Sequence, residues 1–165
     1  MYICSYTLES LIIPKKLLNL LLIYEETIKY SFDVLEVNDT SEKYSILSIK
    51  KSEKSFSELL FEYIDKLNIS EVKLYKTAKI DRRIFSKIRS DYNYHPSFGT
   101  VTLLALSLNL SCYDYENLLK SASYSLPQNS YINITLKYCF DENIFDISKV
   151  DEILYSVCGK TIKEL

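Results

Sequence analysis

Arg82, Arg83, Ser86 and Lys87 are the side chains best placed to act together. Their spacing of i, i+1, i+4 and i+5 puts them on one stripe of a helix. Phe85 and Ile88 fall on the opposite stripe, with Ile84 beside them. A rod of this kind is anchored by its apolar side and holds two guanidinium groups and an ammonium outward. Guanidinium forks bond bidentately to paired acceptors such as the O6/N7 edge of guanine, and all three cations can meet phosphate oxygens. Lys79 and Arg89 flank the stripe, and Tyr92, Tyr94 and His95 follow it. Tyrosines there suit phosphate contact or base stacking, and they suit a protein interface equally well.

Other chemistries are poorly provided for. The single histidine, His95, stands next to Pro96 and has no visible Ser, Cys or Asp partner for nucleophilic catalysis. The acidic pairs Asp141-Glu142 and Asp151-Glu152 are adjacent in sequence, so on a helix their side chains diverge and read as solvated. Cys4, Cys112, Cys139 and Cys158 are scattered and form no CxxC, which points to free thiols in a reducing cytosol. With one histidine, a Cys/His metal site has little to draw on. Only Gly99 and Gly159 exist, so no GxGxxG or P-loop can form. The reading is therefore of a protein with no catalytic residues, no cofactor and no metal. The run Leu17–Tyr24 is too short to span a bilayer and reads as a buried helix, with no membrane partner and a cytoplasmic location.

The charge distribution agrees with a local basic face. The 165 residues carry a net charge of −2, yet residues 56–95 hold eight Lys+Arg against six Asp+Glu. The flanking segments are both acidic on balance, so the positive surplus sits in the middle.

The elements that must hold this stripe are helical. Two glycines and three prolines in the chain disfavour a turn-rich β fold. Ser55 and Glu58 form a capping box that opens a helix to about Leu67. Asn68-Ile69 breaks it, and Ser70 caps a second helix to about Thr77. A three-residue link, Ala78-Lys79-Ile80, leads to Asp81, the cap of a third helix through about Arg89. Further helices are predicted near Thr100–Leu108 and Tyr113–Ala122. Two more are capped by Asn129 and Asp146, with Leu136, Tyr138, Phe140, Ile147, Val150, Ile153 and Leu154 facing inward. Before the polar stretch at 50–55, a smaller N-terminal unit reads as α+β. Pro14 opens a helix to about Tyr30, and strands are predicted over Phe32–Val37, Tyr44–Ile49 and Tyr2–Leu8. The division is thus residues 1–54, a small N-terminal or dimerisation piece, and residues 55–165, the helical domain.

The segment SEVKLYKTAKIDRRIFSKIRS, residues 70–90, resembles the helix-turn-helix of the λ-repressor-like (Cro/phage-repressor) family. Leu74, Ala78, Ile80, Phe85 and Ile88 stand where that family buries small or apolar residues. Residues 56–165 also resemble the all-helical domain found C-terminal to some bacterial macrodomains. In that resemblance only the helical half is shared. The family usually carries Gln at the start of the first short helix, where it bonds a phosphate; this chain has Glu71. The turn position usually filled by Gly is Lys79, which must either avoid the left-handed region or bear modest strain there.

The fold expectation is a mainly α, λ-repressor-like helix-turn-helix bundle with extra C-terminal helices and a small N-terminal α+β piece. The resemblance implies a non-enzymatic, sequence-specific double-stranded DNA-binding protein, a regulator of transcription acting as a homodimer. Arg82, Arg83, Ser86 and Lys87 would read bases, and Lys79, Arg89, Tyr92 and Tyr94 would hold phosphates. The alternative is a protein-interaction module or inhibitor that keeps the scaffold without binding DNA, a reading to which Glu71 lends weight.

Overall fold

The computed structural model describes residues 14–32 and 54–165. Among the described residues every regular element is helical. The α-helices are α1 (Lys15–Phe32), α2 (Phe56–Lys66), α3 (Glu71–Thr77), α4 (Arg82–Ser90), α5 (Phe98–Ser107), α6 (Cys112–Ser121), α7 (Tyr131–Asp141) and α8 (Ile147–Cys158), followed by a 3-10 turn at Ile162–Glu164. The mainly α expectation holds for these residues. The helix α1 runs two residues past the expected Tyr30, so Phe32 ends a helix instead of opening a strand. The other strand positions, and most of the 50–55 boundary, lie outside the described residues.

Seven of these helices begin on a side-chain cap. Ser55, Ser70, Asp81, Ser97, Ser111, Ser130 and Asp146 each accept a backbone N–H from the first turn of α2 to α8 respectively. At α7 the cap is Ser130 and not Asn129, whose carbonyl instead accepts the Tyr24 hydroxyl. The capping box at Ser55 is complete. The Ser55 backbone N–H, and then its hydroxyl, hold the Glu58 carboxyl below the usual carboxylate range.

The helix ends follow a rule of their own. Asn68, Lys79, Asn109, Ser123 and Asn143 all have φ between 50° and 59°. Each stands just past a helix and carries the paired Schellman hydrogen bonds. At the first, the Ile69 N–H reaches the Ile64 carbonyl at 3.1 Å and the Asn68 N–H reaches Asp65 at 3.0 Å. At the second, Ile80 bonds to Tyr75 and Lys79 to Lys76 in the same way. Three of these ends run straight into the next cap as one tetrad of C-cap, left-handed residue, apolar residue and N-cap. They read Leu67-Asn68-Ile69-Ser70, Ala78-Lys79-Ile80-Asp81 and Leu108-Asn109-Leu110-Ser111. The apolar third residue turns back onto the core: Leu110 is buried, and Ile69 and Ile80 are half-buried against it. One chemical device thus makes the α2–α3, α3–α4 and α5–α6 corners.

Lys79 is the costly member of this set, because it carries a Cβ in a conformation that asparagine tolerates better. Lys79→Gly is expected to raise stability by about 0.5–1 kcal/mol, relief of the strain exceeding glycine's added chain entropy. Chemical denaturation with an unchanged m-value checks it.

The core is centred on α5, which packs on α3, α6, α8 and the terminal turn. It is buried on nearly every side, with Val101, Leu103, Leu104, Ala105 and Leu106 inside. Its one buried hydroxyl pair is satisfied internally: Thr102 Oγ1 lies 2.9 Å from the Tyr115 phenol and donates to the Phe98 carbonyl. The Tyr115 ring stacks on Phe140 at 4.0 Å, joining α6 to α7. Of the expected inward residues, Leu136, Tyr138, Phe140, Val150, Ile153 and Leu154 are buried, while Ile147, in the first turn of α8, is half-buried against the core.

The chain end is drawn beneath the start of α5. The Ile162 N–H donates to Asp151 Oδ1 at 2.8 Å, and the Ile162 carbonyl sits where a Cβ on Gly99 would be. Gly99 is therefore a packing glycine that admits a second backbone. At α1, Leu17 and Leu21 are buried while Leu20 and Leu22 are exposed, so only one stripe of the expected buried helix is covered by described residues. The helix sits on α7, with Tyr24 edge-on to Tyr131 at 5.5 Å and Lys16 paired with Glu142. No described helix is long and apolar enough to cross a membrane.

Candidate nucleic-acid interface

The exposed stripe is built from below. Phe85 and Ile88 of α4 are buried, with 4% and 1% of their surface accessible. Phe85 meets Phe61 of α2 edge-on at 6.1 Å and Tyr75 of α3 at 5.8 Å. The Ser57 hydroxyl donates to the Ile88 carbonyl at 2.8 Å, tying the end of α4 to the start of α2. At its other end, Asp81 accepts the Arg83 N–H at 2.7 Å and sets the first turn. Leu74 and Ala78 are buried and Ile80 is half-buried, as their positions require. The roll angle of α4 is thereby fixed from three neighbouring segments.

That roll leaves Lys79, Arg82, Arg83, Ser86 and Lys87 exposed. Lys79, Arg82, Arg83 and Lys87 make no ion pair with any described residue. Arg82 with Ser86, and Arg83 with Lys87, are i, i+4 neighbours, so the four side chains form two short rows along the helix, one of them with a cation at each end. The structure therefore puts Arg82, Arg83, Ser86 and Lys87 on the exposed side of α4, with Lys79 exposed on the connector before it. Sequence reading passed over Lys73 and Lys76, which are exposed on α3 and add to the same basic segment. The signal for them was the charge surplus of residues 56–95. Lys73 and Lys79 border a groove whose other walls include Asn109 and the start of α8 at Ile147 and Ser148.

Two of the expected contacts, Arg89 and Tyr94, stand differently. Arg89 is paired with Glu71, and its guanidinium lies 5.7 Å from the centre of the Phe61 ring. Tyr94 is half-buried against the core, and its backbone N–H donates to Asp91 at 3.0 Å. Tyr92 is open, with 65% of its surface accessible. His95 packs its ring against Tyr124 at 5.1 Å, and the Tyr124 hydroxyl donates to the Pro96 carbonyl. The loop after α4 is thus partly fastened to the body of the domain, with Tyr92 as its free aromatic.

Two of the described thiols, Cys112 and Cys139, are poor candidates for competing chemistry. Burial pushes the Cys139 thiol up to about 12. Burial, and then a hydrogen bond with Asp141, push Cys112 up to about 11. Neither is a thiolate near neutral pH, so neither is an activated nucleophile. Cys139 is fully enclosed, and site-resolved alkylation is expected to leave it unmodified until denaturant unfolds the chain. Rapid labelling of Cys139 in the native state would contradict this packing. Comparison with family models, curated proteins and solved structures finds no match.

Proposed function

We propose that this chain is a sequence-specific double-stranded DNA-binding protein whose α3 and α4 act as a helix-turn-helix of the phage-repressor type. The observation supporting this reading is a set of cations with no ion-pair partner among the described residues, on a helix whose buried side is packed against α2 and α3. Unpaired Lys79, Arg82, Arg83 and Lys87 keep their charge for a polyanion, where neutralised phosphates release counterions. Arg82 and Arg83 lie at the N-terminal end of α4, the part of a recognition helix that reaches base edges. Ser86 sits between them and Lys87 as an adaptable donor and acceptor. A two-fold dimer would present two such helices about one turn of duplex apart, and transcriptional control would follow from occupancy of the site.

Selection from a random pool of duplexes tests the reading directly. Enrichment of one inverted-repeat sequence, with half-sites about 10 base pairs apart, is the expected result. A pool that stays random through successive rounds counts against sequence-specific recognition.

One observation favours a second reading, a protein-docking module that keeps this scaffold without nucleic acid. Glu71 puts a carboxylate at the start of α3 and engages one of the basic side chains of α4. On that reading, affinity for a protein partner would change little with salt, because no condensed counterions are released.

A further inference from the structure

Resting on the duplex-binding reading, we propose that Glu71 is an affinity-tempering residue: it holds Arg89 away from phosphates and so weakens binding to any duplex. Arg89 is the one basic side chain of α4 with a carboxylate partner among the described residues. The two residues come from opposite ends of the helix pair, Glu71 at the start of α3 and Arg89 in the last turn of α4. Their meeting is therefore a product of the fold and not of sequence proximity. Glu71 suits the start of a helix, where the macrodipole favours negative charge. Arg89 is further guided by its place over the Phe61 ring.

Both side chains remain partly in water, at 31% accessible for Glu71 and 57% for Arg89. An ion pair this exposed is weak enough for a phosphate to replace the carboxylate. Replacement restores one cation–anion contact while breaking another, so Arg89 adds little net affinity. The carboxylate left behind then faces the incoming polyanion. Phosphate contacts carry no sequence information, whereas base contacts do. A residue that cancels one phosphate contact lowers all affinities alike: the ratio between sites read by Arg82 and Arg83 is unchanged, and occupancy of weak, arbitrary sites falls at a given protein concentration. The unpaired Lys79, Arg82, Arg83 and Lys87 supply the charge for docking without Arg89.

The test is a double-mutant cycle on the full chain with Glu71→Gln and Arg89→Ala. The probe is a fluorescein-labelled duplex of about 20 base pairs of arbitrary sequence, two helical turns, followed by anisotropy across a salt series. Glu71→Gln keeps the side-chain shape and removes the charge. It is expected to raise affinity several-fold and to steepen the plot of log K against log salt by about 0.9, the value of one extra phosphate contact. Arg89→Ala alone is expected to change the slope by much less than that, and Arg89→Ala combined with Glu71→Gln to abolish the gain. Far-ultraviolet dichroism of each variant separates these effects from misfolding. Binding by the parent chain with an unchanged slope in Glu71→Gln overturns the gate alone. Equal loss on Arg89→Ala in both backgrounds also overturns it, since Arg89 would then be contacting phosphate despite its partner. Absence of binding by the parent and by Glu71→Gln alike overturns the duplex reading and the gate together.

Discussion

Replacing Arg82 and Arg83 together by alanine should lower affinity for a selected duplex site by roughly 2–6 kcal/mol, the sum of two bidentate base contacts at about 1–3 kcal/mol each. That is between about thirty-fold and more than ten-thousand-fold in the binding constant. The expectation follows from position as much as from charge. Both residues lie in the first turn of α4, where Asp81 fixes the backbone through the Arg83 N–H. Neither side chain is committed to another described residue, so their removal leaves no buried partner unsatisfied and the fold intact. Lys87→Ala should behave differently, weakening binding to all sequences about equally and reducing the salt slope by about 1. Competition of labelled selected site against random duplex, measured for each variant, distinguishes the two kinds of contact. An Arg82/Arg83 double variant that binds the selected site as the parent does would remove both residues from recognition.

Gly99→Ala should be the most damaging single methyl in the molecule, costing about 3 kcal/mol or more. A Cβ built on Gly99 lies 2.2 Å from the Ile162 carbonyl oxygen and 3.3 Å from its carbon. The obstruction is backbone, not the end of a flexible side chain, so rotamer changes cannot relieve it. Overpacking of a well-filled interior costs about 1–3 kcal/mol, and a clash with main chain lies at or beyond the upper end. The relaxation available is displacement of the terminal turn, which would expose Ile162, now fully buried, and break its N–H bond to Asp151. Thermal unfolding should show a fall of several degrees or more in Tm for a domain of this size. Gly99→Ala with parental stability would mean that the terminal turn does not sit against α5 in solution. The proposed duplex-binding residues lie on α4, a different element from α5 and the terminal turn, so the variant separates stability from recognition.

Much of the architecture is legible in the residues because it is local. Ser55, Ser70, Asp81, Ser111 and Asp146 mark helix starts that need only a hydroxyl or carboxylate before an amphipathic run. The alternation of buried Phe85 and Ile88 with exposed Arg82, Arg83 and Lys87 is a helical period read directly. Asn129 and Ser130 differ as caps only through tertiary contact, since the Asn129 carbonyl is engaged by Tyr24 from α1. The corner tetrads are also local, and Asn68 and Asn109 announce them; Lys79 hides the third because lysine is not a residue of left-handed turns.

What stays hidden is whatever depends on distant segments. Helix α5 is buried all round, so it shows no apolar stripe to reveal its central place. Gly99 looks like an idle glycine until the carbonyl of Ile162, far along the chain, is laid against it. The pairing of Glu71 with Arg89 depends on the angle between two helices, which no spacing along the chain predicts. Within the candidate interface, the cations of α4 and the carboxylate of Glu71 were therefore readable, while the pairing of Glu71 with Arg89 was not. The recurrence of one corner tetrad at α2–α3, α3–α4 and α5–α6 carries a further lesson. The α3–α4 corner is distinguished by the unpaired cations beside it, not by its turn chemistry.

The central claim is that the open cations of α4 and its connector meet a phosphate backbone. Anisotropy of a labelled duplex of arbitrary sequence, titrated with the full chain across a salt series, measures this most directly. Two phosphate contacts, from Lys79 and Lys87, predict a plot of log K against log salt with a slope of about −1.8. A binding constant that stays level across the same series, or no rise in anisotropy at the lowest salt, would contradict it.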